Sequence, residues 1–299
     1  MMRLAGHTLG TPHLSLESAL RLFRQAGLEG AEIIWQDGYP AGIPETAQDS
    51  DLRQVRRWAR EFGLEIACLT PYMTGLNSLE DAERERDVER FVRCLRAAEQ
   101  LDCRRIRVYA GSFLPGEEAL REAKWKRLVE ALKHLGGIAE GAGVVLCVEN
   151  HFNTMTVTAA ETVALMQAVQ SAGVGILYDQ ANLTFTHSEP HQTAIPLQRA
   201  WIHHVHVKDL IFTDPHRPFT ASAVATVEEE ARAVRSRVIG EGILDWPAIV
   251  RQLQAHGYEG YLSFEYEYRW HPQDLPAPEE GFRRSAQVMR EILARLAAG

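Results

Sequence analysis

The chain has 299 residues, of which 45% are hydrophobic and 24% are charged, and its formal net charge is −8. These values are ordinary for a globular protein with a large apolar core. The acidic balance argues against nucleic acid as the main partner, because a protein that binds phosphate backbones presents a basic surface.

The N-terminal residues, MMRLAGHTLGTP, lack the apolar stretch of about 7–15 residues that a secretory signal contains. No run of about 18 apolar residues is present, so no membrane partner is predicted. The four cysteines form no C-x-x-C pair, which favours neither a zinc site nor a disulfide framework. A reducing compartment fits these thiols, and we therefore expect a cytoplasmic protein. The four are Cys68, Cys94, Cys103 and Cys147.

One local pattern recurs along the chain: a charged helical segment ends at a glycine, and a short apolar run follows. Glycine just beyond a helix adopts the left-handed conformation at little cost. The apolar runs are too short for helices and rich in β-branched and aromatic residues, as buried strands are. The pattern occurs in QAGLEGAEIIW (25–35), EFGLEIACLT (61–70), EGAGVVLCVEN (140–150), SAGVGILYDQ (171–180) and AHGYEGYLSFEYE (255–267).

Three further apolar runs, at 3–9, 104–110 and 201–207, complete eight predicted strands. Strict alternation of strands and helices, eight times over, predicts an α/β fold of the (β/α)8 TIM-barrel type. An open, doubly wound sheet is the alternative, but no G-x-G-x-x-G follows the first strand. The predicted helices lie at roughly 15–26, 49–62, 80–101, 117–140, 157–172, 189–200, 245–256 and 279–297.

We predict a single domain over residues 1–299, with a long loop insertion after the seventh strand at about 209–240. Within it, HRPFT (216–220) is predicted to be irregular and 226–237 to be a short helix. Loops of this length are usually functional, and in a barrel this one would lie on the catalytic face.

Metal-binding side chains stand at the ends of four consecutive predicted strands: Glu149, Asp179, His206 and Glu265. The C-terminal strand ends of a barrel meet at one mouth, so we expect these side chains to converge. Taken singly, such an acid is more often a helix cap or a solvated loop residue, and a lone histidine is more often a core or rim residue. Together, three carboxylates would repel one another, and a divalent cation removes that cost.

Three carboxylates and one imidazole form a mostly hard ligand set. We predict one divalent metal ion as the cofactor, with Mn²⁺ as the first choice and Mg²⁺, Co²⁺ or Zn²⁺ as alternatives. Positions would remain open on the ion for two substrate oxygens.

The stretches GVVLCVENH, GILYDQAN, HVHVKD, IGEGILDW and LSFEYE resemble the xylose-isomerase-like TIM barrel superfamily of sugar-phosphate isomerases and epimerases. This superfamily includes ketose 3-epimerases, hydroxypyruvate isomerase, inosose-handling enzymes, 3-dehydroshikimate dehydratases and endonuclease IV. The resemblance runs from the first strand to the eighth, and it is specific for the fold and the metal site but not for the substrate. It implies that Glu149, Asp179, His206 and Glu265 bind the metal, and that Glu149 and Glu265 also form the catalytic acid/base pair.

The resemblance implies an isomerase or epimerase of a small keto-sugar or polyol. In that chemistry the metal bridges a carbonyl and a neighbouring hydroxyl, and it stabilises the enediolate that forms when a carbon-bound proton leaves. One glutamate removes the proton and the other returns it. A non-catalytic sugar-binding barrel is a further hypothesis, although it would not need two opposed glutamates.

The alternative enzymatic hypothesis is a metal-dependent dehydratase of the 3-dehydroshikimate or inosose type. His151 follows Glu149 by two residues, and ENHFNTMT resembles the corresponding segment of 3-dehydroshikimate dehydratases. Asn182 stands where many members have a histidine, which weakens this hypothesis because an amide transfers no protons. The strand ends CLTPYM and RVYAG lack the histidines that endonuclease IV needs for its three zinc ions, which argues against DNA repair.

Several polar and aromatic residues near the predicted mouth are candidates for substrate binding. Each has a simpler alternative, such as a surface lysine, an exposed turn in the GEG sequence or an aromatic plug of the barrel. Arg269, Trp270 and His271 follow the eighth strand and are expected to reach the substrate or a neighbouring subunit. A homodimer or a homotetramer is compatible with the sequence. The substrate-binding candidates are His151, Asn182, Lys208, Glu241, His7 and Tyr109.

Overall fold

The computed structural model describes residues 2–214, 216 and 232–298. Eight strands close into a barrel in which every neighbouring pair is parallel, so the predicted (β/α)8 TIM-barrel class is confirmed. The barrel strands are β1 (Arg3–His7), β2 (Gly30–Trp35), β3 (Glu65–Pro71), β4 (Arg105–Tyr109), β5 (Val145–Glu149), β6 (Val174–Asp179), β7 (Ile202–Val207) and, after two shorter strands β8 (Asp209–Phe212) and β9 (Val234–Arg237), β10 (Tyr261–Phe264).

Helices surround the barrel close to the predicted positions, and the first turns of three of them are capped by side chains. The Ser15 hydroxyl accepts a hydrogen bond from the Ser18 amide at 3.2 Å, and Thr158 forms a capping box with Glu161. Asp245 caps its helix through the Ala248 amide. No helix of the described residues combines the length and hydropathy needed to cross a membrane. The helices are α1 (Leu16–Gln25), α2 (Asp49–Glu61), α3 (Asp81–Gln100), α4 (Arg121–Gly141), α5 (Ala159–Val169), α6 (Gln180–Phe185), α7 (His191–Gln198), α8 (Trp246–Ala255) and α9 (Pro278–Ala298).

The barrel strands are buried on both faces. Val108, Val148 and Val205 are fully buried in the large apolar cluster that packs against the helices. On the same strands, residues of the opposite parity include Arg107 and His204, which are also buried. Because buried polar groups need partners, these charged and polar side chains constrain one another, and they determine the arrangement of the site at the mouth.

The insertion after β7 is partly an antiparallel ribbon of β8 and β9, in which Asp209 pairs with Arg237 and Phe212 with Val234. The predicted helix at 226–237 is therefore wrong at 234–237. Those residues are extended because their backbone groups pair with β8, a partner more than twenty residues away that local sequence does not reveal. Residues 232 and 233 are not helical either, and residues 226–231 of that prediction, with most of HRPFT (216–220), lie outside the described residues.

Asp209 ties this ribbon to the turn that contains the GEG sequence. Its buried carboxylate accepts hydrogen bonds from four backbone amides: Leu210 at 3.0 Å, Gly240 at 2.9 Å, and Gly242 and Leu244 at 3.2 Å each. A Cβ atom on Gly242 would collide with the Asp209 carboxylate, so this position accommodates only glycine. The GEG sequence thus wraps a carboxylate with backbone amides.

Replacing Asp209 by alanine should lower the free energy of unfolding by about 1–3 kcal/mol, because buried amides lose their acceptor. Urea denaturation followed by circular dichroism measures this change. The matched control is Asp245→Ala, which removes one exposed helix cap and should cost about 1 kcal/mol. Equal or smaller destabilisation by the Asp209 substitution would show that the turn does not depend on this carboxylate.

Candidate metal centre

The C-terminal ends of β5, β6, β7 and the residue after β10 bring Glu149, Asp179, His206 and Glu265 together. One ligand atom from each lies within 4.8 Å of all the others, and all four residues are buried. Asp179 and His206 are direct partners in the β6–β7 register, which explains their proximity. We call these four residues the cluster. Parallel closure of the barrel is what places side chains from distant parts of the chain at one point.

His206 stands at the centre of the cluster. Its Nδ1 atom lies 3.3 Å from Glu149 Oε1, 3.4 Å from Glu265 Oε2 and 3.8 Å from Asp179 Oδ2. Burial alone lowers the pKa of His206, but Glu32 and Glu265, among the surrounding carboxylates, raise it well above its usual range. The imidazole therefore sits in a strongly negative environment.

The carboxylates of the cluster also perturb one another. Burial raises the pKa of Asp179 to about 7; Lys208 opposes this shift, whereas Glu149 and Glu265 add to it. Asp179 Oδ2 is buried and accepts no hydrogen bond from any described residue, although Lys208 Nζ lies 3.0 Å away. A buried acceptor without a donor, in a group of carboxylates, is an environment that favours a cation.

The donor set fits a divalent ion. Metal–oxygen and metal–nitrogen bonds of about 2.0–2.2 Å allow one ion to reach ligand atoms as close together as these. Three carboxylates and one imidazole suit Mn²⁺, Mg²⁺, Co²⁺ or Zn²⁺. The geometry is therefore compatible with a single ion held by Glu149, Asp179, His206 and Glu265.

Glu32 lies beneath the cluster and anchors its histidine, a feature that the sequence analysis missed. Its Oε1 atom is 3.0 Å from His206 Nε2, and its Oε2 atom is 2.8 Å from His204 Nε2. Thr70 donates to the same carboxylate at 2.5 Å. An ionised carboxylate only accepts, so Nε2 of His206 carries a hydrogen and Nδ1 faces the cluster. A single acid in the apolar strand sequence GAEIIW was the signal that could have identified it.

Arg107 is the second residue that the sequence analysis missed. Its guanidinium is 1% exposed and binds Glu149 Oε2 through Nε at 2.7 Å and through Nη2. The Tyr109 ring covers it, with its centroid 3.3 Å from Arg107 Cζ. Burial alone would raise the pKa of Glu149, but Arg107 and His206 hold it below its usual range. The alternation in RRIRVYA, which places 107 on the same side as 109, was the available signal.

The two glutamates of the cluster have different surroundings. Glu149 uses both oxygens: Oε2 accepts from Arg107, while Oε1 accepts from Asn182 Nδ2 at 3.2 Å and faces His206. Glu265 Oε2 accepts from Lys208 Nζ at 2.7 Å. Lys208 is 8% exposed, so it is no surface lysine, and its charge is shared between Glu265 and Asp179.

His151 and Asn182 lie beside the cluster. His151 Nδ1 donates to the Phe152 carbonyl at 2.7 Å, which leaves the Nε2 lone pair free to accept. Burial lowers the pKa of His151 to about 4, so its ring is uncharged near neutral pH. Asn182 donates to Asn150 O and to Glu149, and its buried Oδ1 accepts no bond from the described residues.

Two of the predicted substrate-binding residues, His7 and Glu241, lie against other groups of the protein. His7 is fully buried under the cluster; its Nδ1 accepts from the Leu9 amide at 3.0 Å and its Nε2 is 3.5 Å from Glu32 Oε1. Glu241 pairs with Arg284 of the outer helix α9, and its side chain is 44% exposed. His7 thus belongs to the barrel interior and Glu241 to the surface, because each finds a nearer partner than a ligand in the mouth.

Comparison with known proteins places the chain in a family. It belongs to the xylose isomerase-like TIM barrel family, whose model matches residues 20–292. An inosose dehydratase from Geobacillus thermodenitrificans is 29% identical over 179 residues, which cover 57% of this chain and 55% of that protein. The chain therefore spans about half the length of this curated relative.

Solved structures share the fold along the whole chain. L-ribulose 3-epimerase superposes with a TM-score of 0.77 at 20% identity, covering 100% of this chain and 96% of the other. A xylose isomerase-like TIM barrel protein from Mycobacterium smegmatis, in complex with magnesium, superposes with a TM-score of 0.74 at 17% identity, covering 99% and 98%. These structures and this chain therefore share the barrel fold.

Replacing Arg107 by methionine in metal-free protein should lower the free energy of unfolding by about 3–5 kcal/mol, because Glu149 would be left as a buried, unpaired charge. The double variant R107M/E149Q should recover at least half of that loss, since no unpaired charge remains. Urea denaturation in the presence of EDTA measures both variants. A double variant that is no more stable than R107M would contradict the ion pair as the cause.

Proposed function

We propose that this protein is a divalent-metal-dependent isomerase or epimerase of a small keto-sugar or polyol, with Mn²⁺ as the expected ion. The convergence of Glu149, Asp179, His206 and Glu265 at the barrel mouth carries this proposal. Two structural relatives support it: L-ribulose 3-epimerase and the magnesium complex of a xylose isomerase-like barrel. The reaction begins with removal of a proton from a carbon atom next to a carbonyl.

A divalent ion at the cluster would supply positive charge near the substrate oxygens on which negative charge develops. Glu265 takes the carbon-bound proton: its carboxylate forms an O–H bond, and the C–H electron pair moves towards the carbonyl. Lys208 Nζ, 2.7 Å from Glu265 Oε2, orients that carboxylate. The Nε2 atom of His151 is available to accept a hydrogen bond from a substrate hydroxyl.

The surroundings of the two glutamates support Glu265 rather than Glu149 as the group that exchanges a proton with carbon. Both oxygens of Glu149 already accept hydrogen bonds: Oε2 accepts two from Arg107 and Oε1 accepts one from Asn182. These bonds fix the carboxylate in place, which suits a metal ligand. Because Oε2 of Glu149 accepts both bonds from Arg107, this carboxylate could take up a proton only at Oε1, which faces His206 and accepts from Asn182. One proton-transferring glutamate suits an isomerase that works on one face of an enediolate.

A dehydratase is the second candidate, and two observations favour it. Inosose dehydratases are among the curated relatives, at about 29% identity over about half of the chain. A site with one proton-transferring glutamate also suits elimination, in which loss of a carbon-bound proton is followed by loss of a neighbouring hydroxyl as water. Both candidates share the first step and differ in what happens to the enediolate.

Metal removal and the Glu265→Gln substitution test the shared step. Protein dialysed against EDTA should lose turnover, and added Mn²⁺ should restore it; E265Q saturated with Mn²⁺ should lose at least about 100-fold in rate, the lower range for loss of a general base. The readout is deuterium uptake at carbon from D₂O, followed by NMR with inosose, L-ribulose and D-tagatose as probes.

The product of that experiment separates the two candidates. Deuterium uptake without loss of water indicates an isomerase or epimerase, whereas an absorbing enone with release of water indicates a dehydratase. E65Q is the control, because Glu65 lies at the other end of the barrel and binds Arg3 and Tyr261; it should retain uptake within about twofold of the native rate. No uptake by the native, metal-loaded protein with any probe would refute the proposed function.

Glu32 gives a test of the metal site that does not depend on activity. Glu32→Gln should weaken Mn²⁺ binding about 10- to 100-fold, the usual cost of losing the partner of a metal-bound histidine. Glu65→Gln is the control, because Glu65 is a strand carboxylate that binds Arg3 and Tyr261 at the other end of the barrel. Free Mn²⁺ is measured by electron paramagnetic resonance. Equal affinities for E32Q and the native protein would contradict the role of Glu32.

A further inference from the structure

Arg269 occupies an unusual position on the rim of the barrel mouth. It belongs to a short 3-10 turn, Glu267–Arg269, that follows β10. Its guanidinium carbon lies 4.5 Å from the ring centroid of Trp270 and 4.7 Å from that of Tyr39. Its Nη1 atom is 3.4 Å from Gln36 Oε1. Gln36 and Tyr39 follow β2, so the arginine side chain bridges over the end of β1, which lies between β10 and β2.

The Arg269 guanidinium also lies near the ring of Tyr72, the residue that follows β3. The Tyr72 ring centroid lies 6.0 Å from Arg269 Cζ and 5.3 Å from Arg107 Cζ. Arg107 in turn binds Glu149 of the cluster. Arg269 is therefore linked to the cluster through Tyr72 and Arg107, and the rings of Tyr39, Tyr72 and Tyr109 lie on the same side, after or at the ends of β2, β3 and β4.

Arg269 differs in charge balance from the other two cations of this region. Arg107 pairs with Glu149, and Lys208 pairs with Glu265 and Asp179. Among residues 2–214, 216 and 232–298, no carboxylate forms an ion pair with Arg269, and its side-chain hydrogen bond is to the neutral amide of Gln36. A guanidinium remains charged at any physiological pH and presents a planar set of donors that matches carboxylate or phosphate oxygens.

The aromatic rings give this arginine an energetic advantage for binding. Contacts with the faces of Trp270 and Tyr39 hold the guanidinium in place before any ligand arrives, so less side-chain entropy is lost on binding. At the cluster, Arg107, Lys208 and the expected metal ion are already balanced by the three carboxylates, whereas no carboxylate of the described residues pairs with Arg269. An anionic group is therefore favoured at Arg269.

We propose that the substrate carries a carboxylate or a phosphate at the end remote from the carbon that loses its proton, and that Arg269 binds this group. The inference deepens the proposed function, on which it rests for the orientation of the substrate. It makes the substrate an anionic polyhydroxy carbonyl compound, such as a keto-sugar acid or a keto-sugar phosphate. Arg269 sets the charge preference of the site and takes no part in proton transfer.

Equilibrium binding to the Mn²⁺-loaded, full-length chain tests this proposal without requiring turnover. Three probes share one carbon skeleton: D-fructose is neutral, D-fructuronate carries a carboxylate and D-fructose 6-phosphate carries a phosphate. Isothermal titration calorimetry should show at least one anionic probe binding about 10- to 100-fold more tightly than D-fructose, the range of a charge-assisted hydrogen bond. The tighter of the two anions identifies the chemical group.

Substitutions assign the preference to the residue. Arg269→Met should abolish the difference between anionic and neutral probes, while Arg269→Lys should keep part of it. The matched control is Arg121→Met: this arginine also contacts an aromatic ring, Phe113, but its charge is already paired with Glu161. It should leave all three affinities within twofold of the native values.

Two results would overturn the inference: the native protein binds neither anion more tightly than D-fructose, or R269M keeps the full preference. These outcomes are independent of the proposed function. Deuterium uptake by the native protein, together with an anion preference that R269M leaves unchanged, would preserve the function and refute the anion site. Loss of the anion preference in R269M, without deuterium uptake from any probe, would preserve the anion site and refute the function.

Discussion

The burial of four carboxylates in one barrel is the constraint on which the rest of the structure depends. Glu32, Glu149, Asp179 and Glu265 are all buried, and each would be costly there as an unpaired charge. Nearby cations compensate these charges: Arg107 pairs with Glu149, and Lys208 pairs with Glu265. Three histidines surround Glu32. A divalent ion at the mouth would complete this balance.

The polar interior has two levels with different tasks. At the lower level, Glu32 accepts from His204, His206 and Thr70, which orients the imidazole of His206. At the upper level, that imidazole faces three carboxylates through its other nitrogen. The order of the levels follows from strand parity, because successive inward residues of one strand stand one above another. The hydrogen bond from His206 to Glu32 thus holds the imidazole with its Nδ1 atom towards the position where a metal ion would bind.

The asymmetry between the two glutamates is a tertiary feature with chemical consequences. Glu149 and Glu265 look equivalent in the sequence, since each lies at the end of a predicted strand and each is predicted to bind the metal. In the structure, Arg107 forms two bonds with one oxygen of Glu149, whereas Glu265 pairs with Lys208, which it shares with Asp179. The difference arises from a residue of β4 that carries no recognisable motif. It is the basis for assigning proton transfer to Glu265.

Periodicity was sufficient for the fold, because hydrophobic repeats and glycine helix ends are local properties of the chain. The eight barrel strands lie close to their predicted positions, and the four metal-type residues at strand ends converge as the barrel topology requires. The short helix α6, which Asp179 caps, and the ribbon of β8 and β9 were not predicted. The first is very short, and the second depends on pairing with a distant segment.

The sequence by itself determined the family, the barrel and the identity of the residues at its mouth. Only the tertiary structure decided which partner each of them has: Arg107 for Glu149, Glu32 for His206, the barrel interior for His7 and Arg284 for Glu241. The physical reason is that strand position specifies the face and the depth of a side chain. The charge partner of that side chain belongs to another strand, and the two groups come into contact only when the barrel closes.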